Sequence, residues 1–298
     1  MVPESTTPAG PAPADAGIPG LDVLIPGGPP PHASILLLYE GGSLAEPIGY
    51  QFILAGIAER EGLIVTVSSK ALEDFLRSMA SLTSLDLNQF GQQVEIIDWH
   101  SWRRDRINAL EEKGHVIRCP RGLINVDIAV ARANRIIRDY AKRRAYLDFL
   151  GVAVQVATPE ELVGKVEAIV SRLTKDQVLA LYPADLKAVS PELVDKIKDR
   201  FTAVVGLETR PDGFHLRLMF YEGLPKDGPE IRLVQDEAGR VATAPPTTPE
   251  EEARAAALAV AAERRKQGVK VQGAEPEHPS PAALERAEMA ESEPMPPT

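Results

Sequence analysis

One apolar run constrains this chain more than any other feature. Ser34–Tyr39, SILLLY, is bounded on both sides by turn residues and has the composition of a strand buried on both faces. Such a strand needs a sheet with helices packed on each side of it. The residues that follow supply that cover: Pro47 fits the first position of a helix, and Ile48, Phe52, Ile53, Leu54 and Ile57 recur at roughly helical spacing until Gly62. Leu63–Ser68 then predicts a second strand, Ala71–Leu82 a second helix and Val94–Trp99 a third strand. The order βαβαβ predicts an α/β fold, a mainly parallel sheet with crossover helices on both faces.

Further along, Ile124, Ile128, Ala131, Ile136 and Ala141 repeat every few positions and predict one long helix from Leu123 to Arg144. It feeds a strand at Ala145–Leu150. A helix over 160–173, a strand over 177–182 and a helix over 191–201 follow. Ala203–Glu208 and Phe214–Tyr221 flank Arg210-Pro-Asp-Gly213, a turn sequence that predicts a C-terminal antiparallel hairpin.

The ends have a different composition. Residues 1–16 hold four of the 26 prolines and residues 245–298 hold nine more, while neither contains any of the 15 aromatic side chains. Such segments bury too little apolar surface to offset the entropy of ordering. The expected organisation is a disordered segment over 1–16, a domain over 17–244, and an acidic Ala/Pro/Glu-rich tail over 245–298. Within the tail, Thr248–Glu251 is a capping box that predicts a helix over about 249–267, loosely attached because only Leu258 and Val260 are there to dock.

Of the net charge of −10, the tail supplies −4 and the first 16 residues −2. An acidic chain without a basic tail argues against nonspecific nucleic-acid binding. The single cysteine, Cys119, excludes an internal disulfide framework and a thiolate metal site. No apolar run reaches the roughly 18 residues that span a bilayer, and the N-terminus lacks a basic n-region, so a cytoplasmic protein without membrane contact is expected.

Several segments together resemble the opening of a RecA/KaiC-like ATPase domain. They are Gly17–Asp22 (GIPGLD), the Gly/Pro-rich turn Pro26–Pro31, the strand Ser34–Tyr39 with Glu40-Gly41 after it, and Gln51-Phe52 in the next helix. The likeness continues through His115–Arg118, Gly122–Ala129 and Tyr146–Asp148, the last similar to a Walker B strand, and covers about residues 17–222. It implies a RecA-like, P-loop-type sheet, ATP with Mg²⁺ as ligand, and side-by-side assembly with copies of itself or another protein partner.

The loop that should hold the phosphates departs from that pattern. The family's G-x-x-x-x-G-K-[ST] uses backbone amides, a lysine and a hydroxyl to bind phosphate and Mg²⁺. Here Glu40–Pro47 reads EGGSLAEP. Anchored on Gln51-Phe52, Leu44 stands for the second glycine, Ala45 for the lysine and Glu46 for the hydroxyl residue; anchored on Glu40-Gly41, the loop is two residues short. No lysine precedes Lys70, and Ser68-Ser-Lys70 stands where the family's catalytic glutamate follows the second strand.

The resemblance therefore implies a degenerate nucleotide site, whose remaining candidates are Gly41, Gly42, Ser43 and Asp148. Asp148 either holds Mg²⁺ through water or simply ends a strand. The histidines, His32, His100, His115, His215 and His278, show no paired metal-ligand spacing. Glu40 and Glu46 are read as an acid–base pair or, more commonly for such loops, as solvated carboxylates, and Cys119 before Pro120 as a small buried residue. Arg103, Arg104 and Arg106, with Arg132, Arg135, Arg138, Lys142, Arg143 and Arg144 on the long helix, form either a solvated face or a docking stripe for an acidic partner, the chain's own Glu-rich tail included. Nucleic acid ranks third, since no aromatics interleave. The expectation is a catalytically inactive domain with no cofactor, acting as a regulatory or scaffolding protein through protein–protein interaction. The alternatives are a nucleotide sensor that binds Mg-ATP weakly without hydrolysis, and an enzyme of unrelated chemistry on a similar sheet.

Overall fold

The computed structural model describes residues 16–25, 27–41, 44–83, 85–221 and 230–246, together with the isolated positions 256 and 260. In chain order the elements are α1 (Leu21–Leu24), β1 (Ser34–Tyr39), α2 (Ala45–Ala58), β2 (Gly62–Val67), α3 (Leu72–Thr83) and β3 (Val94–Asp98), then β4 (Glu111–Lys113), β5 (Val116–Arg118), α4 (Leu123–Ile136), β6 (Arg143–Leu147), α5 (Leu150–Ala153) and α6 (Pro159–Lys175). β7 (Val178–Asp185), α7 (Pro191–Ile197), β8 (Ala203–Arg210), β9 (Gly213–Tyr221), β10 (Glu230–Gln235) and β11 (Val241–Thr243) complete them. All eleven strands form one sheet in the order β11-β10-β9-β8-β1-β7-β6-β2-β3-β5-β4. The run from β8 to β5 is parallel, and antiparallel pairs close both ends.

Side chains alternate across the strands and so build two cores. Ile35, Leu37, Leu63, Val65 and Leu181 face α1, α2 and α3, whereas Leu36, Ile64, Ile97, Ala145 and Ala180 face α4 to α7. β1 is buried along nearly its whole length, as its composition requires. The predicted mainly parallel α/β fold and the C-terminal hairpin at Arg210–Gly213 are both present. Among the described residues no helix is long and apolar enough to cross a membrane.

The structure corrects several boundaries. α2 begins at Ala45, with Pro47 third rather than first; its missing N–H costs nothing there, because the opening N–H groups of a helix have no acceptor within it. The helix predicted over 123–144 stops at Ile136, and Arg143 and Arg144 belong to β6. The chain turns there because Ile137 and Tyr140 close over Gly62, where an added Cβ would lie 2.9 Å from both. α4 also buries a different face from the one predicted: Leu123, Val126, Ala129, Val130 and Ala133 point inward, while Ile124, Ile128 and Ile136 are exposed. Ala16, placed by composition in the N-terminal segment, is buried. Residues 1–15 and the helix expected over about 249–267, apart from positions 256 and 260, lie outside the described residues.

Arg144 is not a surface charge. It is fully buried on the α2 side of the sheet, where its Nε donates to Glu61 at 2.7 Å and its Nη1 donates to the carbonyls of Phe52 at 2.8 Å and Ala16 at 3.0 Å. Breaking a buried pair on one side leaves an uncompensated charge, which costs about 3–5 kcal/mol. Glu61→Ala is therefore expected to lower stability to urea by that order, and the double replacement Glu61→Leu with Arg144→Met to recover part of the loss.

Glu95 on β3 supplies a pH-dependent counterpart. Burial, aided by the nearby Glu112, pushes its carboxyl up from 4.5 to about 7. The folded chain then holds a proton that the unfolded chain has released, so stability falls as pH rises from 4.5 to about 7. Glu95→Gln should remove this fall, raising the melting temperature at pH 8 while leaving it nearly unchanged at pH 4.

Candidate functional site

From β1 the chain crosses past two strand positions to β2, and β6 and β7 later fill the gap. Open α/β sheets hold ligands at the carboxyl ends of strands beside such a crossover. Here that place is a cleft of about 280 Å³, lined from β1, β2, β6, β7 and the first turns of α2. Its floor is aromatic. The Phe75 ring lies 5.3 Å from Tyr50 and 6.4 Å from Tyr146, and Tyr39 ends β1 beside them. Burial raises the phenols of Tyr39, Tyr50 and Tyr146 above their ordinary range, so all three remain neutral donors.

Three carboxylates face this floor, and each accepts a hydrogen bond from within the chain. Asp148 follows β6; its Oδ2 accepts from the Ser69 hydroxyl at 2.6 Å and the Ser69 amide at 3.3 Å. The Ser68 hydroxyl donates to the Asp148 carbonyl at 2.5 Å, while Arg103 donates to the Ser68 carbonyl at 2.8 Å. Burial raises the Asp148 carboxyl from its ordinary value, against the lowering effect of the Ser69 and Ser68 hydrogen bonds and of Lys70. Glu46 lies in the first turn of α2, where the helix dipole favours negative charge. It accepts from the hydroxyl of Tyr50, one turn on, and pairs with the ammonium of Lys70.

Asp185 ends β7, and its Oδ1 accepts from the Lys187 amide at 2.9 Å. An added Cβ on Gly41 would lie 3.5 Å from both Asp185 Oδ2 and Lys187 Nζ, which places the loop against this pair of side chains. Among the described residues the Lys187 ammonium has no ion-pair partner.

Of the residues expected from sequence, Gly41 and Asp148 both line the cleft. Gly42 and Ser43 lie outside the described residues. Glu40 is exposed and does not line it, so it forms no acid–base pair with Glu46 there. Cys119 is buried and its thiol is pushed up to about 12 by burial. Among the described residues no group of three His, Cys, Asp or Glu side chains is placed to hold a metal ion. Sequence reasoning missed Lys70 as the partner of Glu46, and missed Tyr39, Tyr50, Tyr146, Asp185 and Lys187. A signal existed for Tyr39 and Asp185, which end strands whose carboxyl ends face the cleft. A larger open depression of about 660 Å³ lies on the outer side of α2, beside the end of α3 and the turn at Gly239; its charged group, Arg240, is engaged by Asp236 at 2.9 Å, and of these groups it shares only Tyr50.

A family model described as ATPase: KaiC matches residues 14–192, a span that contains every residue lining the smaller cleft. A search of curated proteins gave no match.

The cleft depends on close passage of α2 over β6. An added Cβ on Gly49 would come 2.6 Å from the Tyr146 ring, which is too near for any real contact. Gly49→Ala should therefore destabilise the fold by about 1–3 kcal/mol, the usual cost of overpacking. Lys70→Ala should change stability by under about 1 kcal/mol, because its pair with Glu46 is part-exposed. Denaturant titration of the two variants checks both.

Proposed function

The chain belongs to the KaiC family of ATPase domains, and from that premise we propose that it is a member without catalysis, acting as a regulatory or scaffolding subunit through protein–protein contacts. The observation that carries this reading is the position of Glu46. A carboxylate held by Tyr50 and Lys70 stands at the helix end that a phosphate requires. A phosphate brought there meets charge of its own sign; at an effective dielectric of about 20, two unit charges roughly 4 Å apart repel by about 4 kcal/mol.

Two further features support it. Lys70 follows β2 where the family's catalytic glutamate is expected, and an ammonium engaged with Glu46 accepts no proton from an attacking water. Asp148 turns its carboxylate onto Ser69, whose hydroxyl and amide already engage one of the oxygens that Mg²⁺ would use. The residues present therefore do not fit Mg-ATP, and no reaction step is assigned to it. The contacts we infer are with further copies of the chain or with a different protein.

Lys187 favours a second reading, a nucleotide sensor. Its ammonium stands beside Gly41 without a carboxylate bound to it among the described residues, and offers a cation to an anionic ligand. Two measurements on the purified full chain separate the readings. Phosphate release from Mg-ATP is expected to stay at the level of a heat-treated control; release that Asp148→Asn abolishes would overturn the proposal. Calorimetric titration with Mg-ATP is expected to show no submillimolar binding. Binding that is lost in Lys187→Ala and strengthened in Glu46→Lys would establish the sensor instead.

A further inference from the structure

α4 has two apolar faces, and only one of them is buried. Ile124, Ile128 and Ile136 are 49 %, 47 % and 48 % exposed, and they make up three of the six large exposed hydrophobic side chains among the described residues. A lone exposed isoleucine needs no explanation, but three along one helix face form a surface that water disfavours. Arg132 and Arg135 are set among them at three- and four-residue steps, and Arg121 stands just before the helix with its guanidinium 5.5 Å from the Trp102 ring, so the face carries cationic groups beside its apolar ones.

The charges decide what fits. Arg132 reaches Glu112 and Arg138 reaches Asp139, but Arg121 and Arg135 meet no carboxylate among the described residues. A second copy laid face to face would set arginine against arginine. Residues 275–298 have the complementary composition: six glutamates against one arginine, Arg286, with Leu284, Met289 and Met295 as their large apolar side chains. The 30 residues from Pro246 to Glu275 span roughly 100 Å when extended. Eleven strands measure about 50 Å across at about 4.8 Å each, so the segment reaches α4 from the β11 edge.

We propose that residues 275–298 dock on the exposed face of α4, their apolar side chains against Ile124, Ile128 and Ile136 and their glutamates against Arg121 and Arg135. The tail then covers a face suited to any acidic amphipathic segment, and a partner of that chemistry must displace it. This holds whatever the cleft binds, so its failure would leave the functional reading untouched.

The test uses the full chain with isoleucine methyl groups isotopically labelled and a nitroxide attached at Ser292→Cys; Cys119 is buried and is spared. The methyl signals of Ile124, Ile128 and Ile136 are expected to lose most of their intensity, while Ile35 in β1 keeps its own. High salt, or Arg121→Glu with Arg135→Glu, should restore the lost signals. Stripe signals untouched by the nitroxide would overturn the proposal, as would losses indifferent to the charge reversals. Broadening that grows with protein concentration without the nitroxide would also overturn it, marking α4 as a contact between copies.

Discussion

A guanidinium held entirely out of water fixes the geometry on which the cleft depends. Arg144 on β6 joins segments far apart in sequence: Glu61 before β2, the Phe52 carbonyl inside α2 and the Ala16 carbonyl at the entry to the described chain. Its Cζ lies 4.8 Å over the Phe52 ring. The pair with Glu61 contributes little net stability, since removing two charges from water costs about as much as their attraction returns. What it contributes is position. α2 lies so close over Arg144 that an added Cβ on Gly56 would be 3.1 Å from the arginine side chain, and two turns earlier Gly49 passes over Tyr146 in the same way. The first turn of α2, and Glu46 with it, is thereby held at the mouth of the cleft.

That placement gives the cleft its charge logic. An ATP site of this architecture balances the ligand's negative charge with cations and amides from its loop. Here the negative charge belongs to the chain itself, as Glu46, Asp148 and Asp185, and the cations arrive from the ends of β2 and β7 as Lys70 and Lys187. A site whose anions are already its own has less to gain from one in solution, and this is the ground on which a non-catalytic role is proposed.

The legible parts of the fold were those coded locally. β1 to β3 were read from apolar runs, and the start of α6 is fixed by Thr158 and Glu161, which bond reciprocally as a capping box. α4 was misjudged because its sequence is apolar on two sides, and periodicity alone does not say which side faces the sheet. β4 is three exposed charged residues, and β10 buries only Leu233 fully, so neither had a hydrophobic signature. Arg143 and Arg144 extended a basic run in sequence, yet one is buried in the sheet. Lys70 is 24 residues from Glu46, and only the parallel pairing of strands between them brings the two together. Spacing within a loop motif records what that loop has lost and is silent about charges supplied from another strand.

The sheet edges narrow the ways in which this domain can meet another protein. An open edge strand offers unpaired N–H and C=O groups to any passing chain, and proteins block it with charge, shortness or cover. All three are present here. β4 presents Glu111, Glu112 and Lys113, all exposed, over only three residues. At the other end Gln51 covers β11: its Nε2 donates to the Val241 carbonyl at 2.9 Å, and its Oε1 accepts from the Val241 amide at 2.8 Å. Gln51 is among the residues on which the family resemblance rests, and its amide serves the edge rather than the cleft. With strand addition disfavoured at both ends, any proposed partner is left with the helix faces. Among the described helices, α4 is the one that carries isoleucines out to solvent between arginines.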